Sequence, residues 1–99
     1  MKFAFMFMTD GFDPKKHRTQ LDTDGVQSTV LGVSTMEQAL AEAKAFAEQG
    51  YDLIELCGSF GPELAGQIAE ATGNQVPVGY VVKCDSEAQK EIYKKVFGE

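Results

Sequence analysis

The chain has 99 residues, 43% apolar and 24% charged, a composition typical of one small folded domain rather than of a disordered or fibrous chain. Nine basic residues against fifteen acidic ones give a net charge of -6. This balance argues against nucleic-acid binding, which usually needs a basic face. The longest apolar run has about six residues, so we expect no membrane span.

The cysteine and histidine content limits the chemistry further. Cys57 and Cys84 have no CxxC spacing, and with the single histidine, His17, they cannot complete a four-ligand zinc site. No leader peptide is expected, because Asp10 and Asp13 follow the first apolar run without a small-residue cleavage site. We therefore expect a cytoplasmic protein with free thiols and no metal. The residues specify no cofactor.

Four apolar or β-branched runs predict strands, and the first, which is continuously apolar, is typical of a strand buried on both faces. Its phenylalanines, at positions 3, 5 and 7, are expected in the core. The predicted strands are Lys2–Met8, Val26–Val33, Asp52–Cys57 and Val76–Lys83.

Helix signals separate these strands. Asp13 and Pro14 look like a cap and a first helical position, so a short, poorly amphipathic helix is expected before Gly25. Ser34 and Glu37 form a capping box before a helix that Gly50 ends. The two later helices start at Gly61-Pro62 and at Ser86, and Ala88, Ile92, Val96 and Phe97 of the last one are expected to face the core.

The alternation predicts a three-layer α/β sandwich over residues 1–99, with a flavodoxin-like (βα)4 arrangement. Its four-stranded parallel sheet would have the strand order 2-1-3-4. The alternative is a half-barrel that pairs with a second copy. The short sheet leaves two open edges, so a homodimer or larger closed oligomer is expected.

Ligands of open parallel sheets bind beyond the carboxyl ends of the strands, and this rule selects the candidate site. The strongest segment is Cys57-Gly58-Ser59-Phe60-Gly61-Pro62, where glycines let the backbone approach a ligand and free amides at a helix start favour an anion. A tight turn that needs glycine for geometry alone explains the same pattern. The expected ligand-binding residues are Asp10, Arg18, Gly58, Ser59, Phe60, Gly61 and Lys83.

A second candidate is the basic run Lys15-Lys16-His17-Arg18. Cations in a first helical turn oppose the helix dipole, and a bound anion would offset that cost. Arg18 would then clamp a carboxylate or phosphate, and His17 would move a proton. A solvated turn is the alternative interpretation.

The expected catalytic residues are His17, Glu55 and Cys57. Glu55 is a lone carboxylate on a predicted buried strand, where desolvation would suit it for acid–base work, unless it meets water or a cation at an edge or interface. Cys57 precedes a helix start, which favours a thiolate nucleophile. Cys57 and Cys84 also end consecutive predicted strands, and a disulfide or two inert buried thiols are both open.

Three stretches together resemble a known family. They are Gly11-Phe12-Asp13-Pro14-Lys15-Lys16-His17-Arg18, Asp52-Leu53-Ile54-Glu55-Leu56-Cys57-Gly58-Ser59-Phe60-Gly61-Pro62 and Val76-Pro77-Val78-Gly79-Tyr80. The resemblance is to a family of small microbial proteins labelled only as a domain of unknown function, and it spans nearly the whole chain. It implies no activity, substrate or cofactor. Three functions remain open: binding or turnover of a small anionic ligand, homo-oligomeric assembly, and thiol redox chemistry.

Overall fold

The computed structural model describes residues 1–98 and has a mixed α/β fold. Within that range there are five strands and three helices. In chain order they are β1 (Lys2–Met8), β2 (Arg18–Asp22), β3 (Gln27–Val33), α1 (Met36–Glu48), β4 (Leu53–Leu56), α2 (Gly61–Ala71), β5 (Val78–Tyr80) and α3 (Glu87–Phe97).

The strands form one mostly parallel sheet in the order β2-β3-β1-β4-β5. β1 lies between β3 and β4 and is parallel to both, and β5 extends the parallel part beyond β4. These four strands follow the expected order 2-1-3-4. The flavodoxin-like (βα)4 prediction is nevertheless confirmed only as a mixed α/β fold with a mostly parallel sheet, because β2 adds a fifth strand antiparallel to β3.

The predicted helix after Asp13 is wrong. The carbonyl of Asp13 accepts hydrogen bonds from the amides of Lys16 and His17, which closes a single turn and no more. The chain then continues as β2 and returns to β3 through a tight turn in which Thr23 N–H donates to Val26 O. Asp24-Gly25 in this turn is a common hairpin dipeptide, so the turn chemistry and the pairing with β3 outweigh the cap-like Asp13-Pro14.

One face of the sheet, here called the covered face, packs against α1 and α2. Ala4 and Met6 of β1 are fully buried there, as are Ile54 and Leu56 of β4. The helices contribute three alanines and two larger apolar residues to the same core: Ala39, Ala43, Ala65, Phe46 and Ile68. The small alanines let both helices approach the sheet closely.

The opposite face, here called the open face, has no helix packed on it among residues 1–98, so the three-layer prediction is wrong. Register places Phe3, Phe5 and Phe7 of β1 on this side, since strand residues alternate between faces. Phe3 and Phe5 are partly exposed and Phe7 is 42% exposed, whereas a core position was expected for all three. The first helix that would cover this face is replaced by β2.

Helix α3 is the second reason that the open face is bare. Ser86 caps it, with its hydroxyl oxygen accepting from Gln89 N–H, as the sequence suggested. None of its residues is buried, however, so the expectation that Ala88, Ile92, Val96 and Phe97 face the core is wrong. The amphipathic pattern predicted the helix correctly but did not specify the surface on which it packs.

The cap of α1 differs from the predicted box by one residue. Thr35, not Ser34, is the N-cap, and its hydroxyl accepts from Gln38 N–H at 3.1 Å. The Gln38 side chain reaches back to the amide of Ser34 at 2.8 Å. The two adjacent hydroxyl residues satisfy the same pattern, so sequence alone leaves this one-residue choice open.

Candidate functional site

The ends of β1 and β4 are joined by a small polar network. Cys57 N–H donates to Met6 O, and Met8 N–H donates to Cys57 Sγ at 3.4 Å. The Ser59 hydroxyl donates to Met8 O at 2.9 Å and lies 2.8 Å from Cys57 Sγ. The network fixes the turn that leads from β4 into α2.

The sulfur of Cys57 has two hydrogen-bond partners in this network. It accepts from Met8 N–H, and either Cys57 or Ser59 can be the donor in the contact between them. No histidine is hydrogen-bonded to this thiol among residues 1–98, so the geometry provides no base to activate it as a nucleophile.

His17 and Arg18 do not form the expected anion clamp. Arg18 Nη1 lies 3.0 Å from Glu42 Oε1 on α1 and donates to Pro14 O at 3.0 Å. Its guanidinium stacks over the Phe46 ring, 5.8 Å from the centroid, on the covered side of the sheet. The fork that would bind a carboxylate or phosphate is thus occupied by Glu42.

His17 lies at a different position, against the open face. Its Nδ1 accepts from Asp13 N–H at 2.8 Å, and its ring contacts Phe12 edge-on. Phe12 in turn lies over Gly32, where an added Cβ would be 2.4 Å from the ring. The hydrogen bond and the ring contact both hold His17 in place immediately before the first residue of β2. Asp10, in the turn after β1, is exposed.

Glu55 lies in the middle of the open face, paired in register with Phe5 on one side and Gly79 on the other. Its carboxylate lies over Gly79, with Oε2 only 2.6 Å from the position of an added Cβ. Within residues 1–98 no hydrogen bond or ion pair reaches it. The Glu55 carboxylate fits at this position because Gly79 has no side chain.

The loop before α2 does border a cavity. A groove of about 370 Å³ lies at the carboxyl ends of β4 and β5, between the start of α2 and the segment after β5. Its lining comprises Gly58, Gly61, Pro62, Tyr80, Val81, Val82, Lys83 and Tyr93. Of the residues predicted to bind a ligand, Gly58, Gly61 and Lys83 meet here.

The other two predicted loop residues have structural roles. Phe60 is 3% exposed and anchors the turn in the core, and Ser59 is engaged with Met8 and Cys57. The sequence predicted only part of the groove lining, because Tyr80 and Tyr93, which also form its walls, were not among the predicted ligand-binding residues. Tyr93 comes from α3, and its place here depends on the segment 81–85, which has no regular structure although residues 81–83 were predicted to continue the strand.

The electrostatics of the groove are positive at two points. α2 begins without a side-chain cap, and although Pro62 has no N–H, the other amides of its first turn lie at the positive end of the helix dipole. Lys83 Nζ lies 4.2 Å from the centre of the Tyr93 ring. A second hollow of about 360 Å³ adjoins it at Lys83 and Tyr93, and Lys90 and Lys94 add further positive charge there.

Cys84 lies beside that second hollow and is exposed. The backbone amide of Ser86, followed by its hydroxyl, lowers the pKa of the Cys84 thiol. Cys57 and Cys84 are both free thiols, so the structure contains no disulfide between them. Among the described residues, no cluster of three or more His, Cys, Asp or Glu side chains could hold a metal ion.

None of the helices within residues 1–98 has the length and apolar character needed to cross a bilayer. No curated protein and no solved structure matches the chain significantly. A family model does match, over residues 1–97, and it includes the three stretches that suggested a resemblance. The chain therefore belongs to the family of unknown function DUF6506.

Proposed function

We propose that the protein binds a small anionic metabolite in the groove between the start of α2 and Lys83. The observation that supports this most directly is that an uncapped helix start and a lysine border the same cavity. Helix amides recognise carboxylate or phosphate oxygens through hydrogen bonds and partial positive charge, and a lysine adds a full charge.

The walls of the groove suggest the rest of the ligand. Pro62, Tyr80, Val82 and Tyr93 present mostly apolar and aromatic surface. The volume, about 370 Å³, is within the ordinary range for small-molecule sites. We therefore favour a compact carboxylate or phosphate ester with an apolar or aromatic body.

The proposal is one of binding rather than turnover. Acid–base or nucleophilic catalysis would need His17, Glu55 and Cys57 near one another and near the ligand. His17 packs on Phe12, Glu55 lies over Gly79, and Cys57 is bonded to Ser59. None of the three lines the groove, so recognition there depends on backbone amides and one lysine, Lys83.

Thermal-shift titration with inorganic phosphate and a panel of small carboxylates tests the proposal. A ligand that binds only the folded chain raises its melting temperature with concentration. Lys83→Gln should weaken the affinity by about tenfold or more, because a hydrogen bond to a charged group contributes about 1.5–3 kcal/mol. Lys15→Gln removes an equivalent exposed lysine at the turn after β1 and should leave the response unchanged.

Glu63 sharpens the experiment. It is an exposed carboxylate in the first turn of α2 and repels an anion at that helix start. Glu63→Gln should therefore increase the affinity, opposite to Lys83→Gln. Absence of any stabilisation of the unmutated protein, or an equal loss in Lys15→Gln and Lys83→Gln, would contradict the proposal.

A further inference from the structure

The open face is mostly apolar, with the Glu55 carboxylate in its middle. Around the three phenylalanines of β1, register places Val30 of β3 and Leu53 of β4. Leu21 of β2 is on the same side and is 63% exposed. Phe5 and Phe7 already pack edge to face, with ring centres 4.9 Å apart, so the surface is preformed. Contiguous apolar patches of this kind mark interaction surfaces in soluble proteins.

Helix α3 also exposes apolar side chains that nothing else within residues 1–98 covers. Ile92, Val96 and Phe97 are 52%, 66% and 64% exposed, respectively, and together they are called here the α3 stripe. The helix has 11 residues, and isolated helices shorter than about 12–15 residues are marginal in water. An apolar stripe on so short a helix needs a surface to pack against.

The same chain does not supply that surface in this structure. α3 lies beside the groove through Tyr93, which contacts Lys83. Ile92 and Val96 are one turn apart and form the part of the helix that stays exposed. Tyr93 also contacts Phe97, with ring centres 4.5 Å apart, so the groove contact borders the stripe at Phe97 and leaves Ile92 and Val96 free of it.

We propose that a second copy of this chain covers the open face, with α3 of each copy packing on the open face of the other. A mostly parallel sheet is normally covered by helices on both faces, and this chain supplies α1 and α2 for only one. The exchange provides the missing layer from the only helix with an exposed apolar stripe among residues 1–98. It is also self-complementary, as a two-fold dimer requires.

The charges on the two surfaces are complementary. Among the strand residues of the open face, Glu55 is the one charged side chain, and no described residue pairs with it. Lys95 borders the α3 stripe, three residues after Ile92 and one before Val96. Packing of the stripe on the open face brings a lysine to this carboxylate, whereas two open faces packed together would bring the two Glu55 carboxylates close.

The dimensions of the two surfaces also match. The five strands have seven, five, seven, four and three residues, so at about 3.3 Å per residue and about 4.8 Å between strands the open face covers roughly 400 Å² in projection. An 11-residue helix is about 16 Å long and fits along the seven-residue strands. Because each copy contributes both a face and a stripe, two such contacts form in the dimer.

Sedimentation velocity at tens of micromolar tests the proposal on the full chain. The unmutated protein should sediment with twice the 10.8 kDa mass of one chain. Val96→Asp should shift it to the monomer, and because Val96 is exposed, far-UV circular dichroism should still show the sheet with α1 and α2, and any lost helical signal should come from α3 alone. The control, Glu87→Gln, alters a charge in the first turn of α3, about two turns before Lys95, and should remain dimeric.

Exchanging the charges of Lys95 and Glu55 tests the proposed contact between these two residues. Lys95→Glu should weaken the dimer by about tenfold, and adding Glu55→Lys should restore it. A 10.8 kDa species alone, for the unmutated protein, would overturn the proposal. A dimer that resists Val96→Asp and Lys95→Glu but is lost in Leu21→Asp would also overturn it, since the two sheets would then pack without α3.

Discussion

The two faces of the sheet use the same strands in opposite ways. On the covered face, β1 contributes Ala4 and Met6, and both are fully buried by α1 and α2. On the open face it contributes three phenylalanines, the largest apolar side chains of the strand, and these remain partly exposed. Side-chain size and burial thus run in opposite directions across one strand: the larger side chains of β1 are the more exposed ones.

The largest expected effect contrasts one aromatic residue from each environment. Phe46 is fully buried and packs on Tyr51 with ring centres 4.6 Å apart, so Phe46→Ala should cost about 3–5 kcal/mol in the free energy of unfolding. Phe7→Ala on the open face should cost about 1 kcal/mol at low protein concentration, where the chain is monomeric. Urea denaturation measures both values.

This contrast would fail if Phe7→Ala cost as much as Phe46→Ala in dilute protein. Repeating the denaturation at a tenfold-higher concentration sharpens it. If a second copy covers the open face, the cost of Phe7→Ala should grow with concentration while that of Phe46→Ala changes little.

The contact between Phe12 and Gly32 gives the next effect. Gly32→Ala places a Cβ 2.4 Å from the Phe12 ring and should destabilise the fold by about 1–3 kcal/mol, because the ring must move. In Phe12→Ala the obstacle is gone, so Gly32→Ala should cost much less in that background. A double-mutant cycle in urea measures the coupling, and strict additivity of the two changes would exclude the contact.

A smaller effect is expected at the edge of the covered face. The Arg18–Glu42 ion pair is partly exposed, with side-chain exposures of 35% and 20%, so its coupling energy should be about 0.5–1 kcal/mol. Arg18→Gln, Glu42→Gln and the double variant measure it. The coupling should shrink in 0.5 M salt, and a coupling that salt does not change would point to packing on Phe46 instead.

The smallest effect concerns the rate of thiol alkylation and does not involve stability. Since Ser86 lowers the pKa of the exposed Cys84 thiol, more thiolate is present at neutral pH, and Cys84 should react with iodoacetamide before Cys57. Ser86→Ala should raise that pKa and slow the reaction. Mass spectrometry should find two free thiols, and a disulfide in freshly purified protein would contradict the structure.

The parallel part of the sheet was predictable because its information is local. The strand β1 and the helices α1 and α2 have strong apolar patterns with turn or cap residues at their ends. β2 was not predicted, because Asp13-Pro14 favours a helix start. The hairpin dipeptide Asp24-Gly25, which leads directly into β3, was the signal that could have identified it. The layer count failed for a different reason, since the α3 pattern shows that a helix has an apolar side but not what covers it.

Only the part of the candidate site that follows the parallel strands was predictable from the sequence. Gly58, Gly61 and Lys83 follow strands whose carboxyl ends meet, and the rule for open parallel sheets selects them. His17 and Arg18 were placed wrongly because their position depended on the missing helix. Tyr80 and Tyr93 could be found only with the path of the segment 81–85 in hand.

The hydrogen bonds around Cys57 affect how the domain opens. Ser59 at the start of α2 and the thiol of Cys57 both engage the backbone of Met8, which is 51 and 49 residues away along the chain. The end of β1 cannot separate from β4 without also releasing the turn before α2. Local fraying in this part of the sheet is thereby suppressed, so the Met8 and Cys57 amides should exchange with deuterium together, as one cooperative unit.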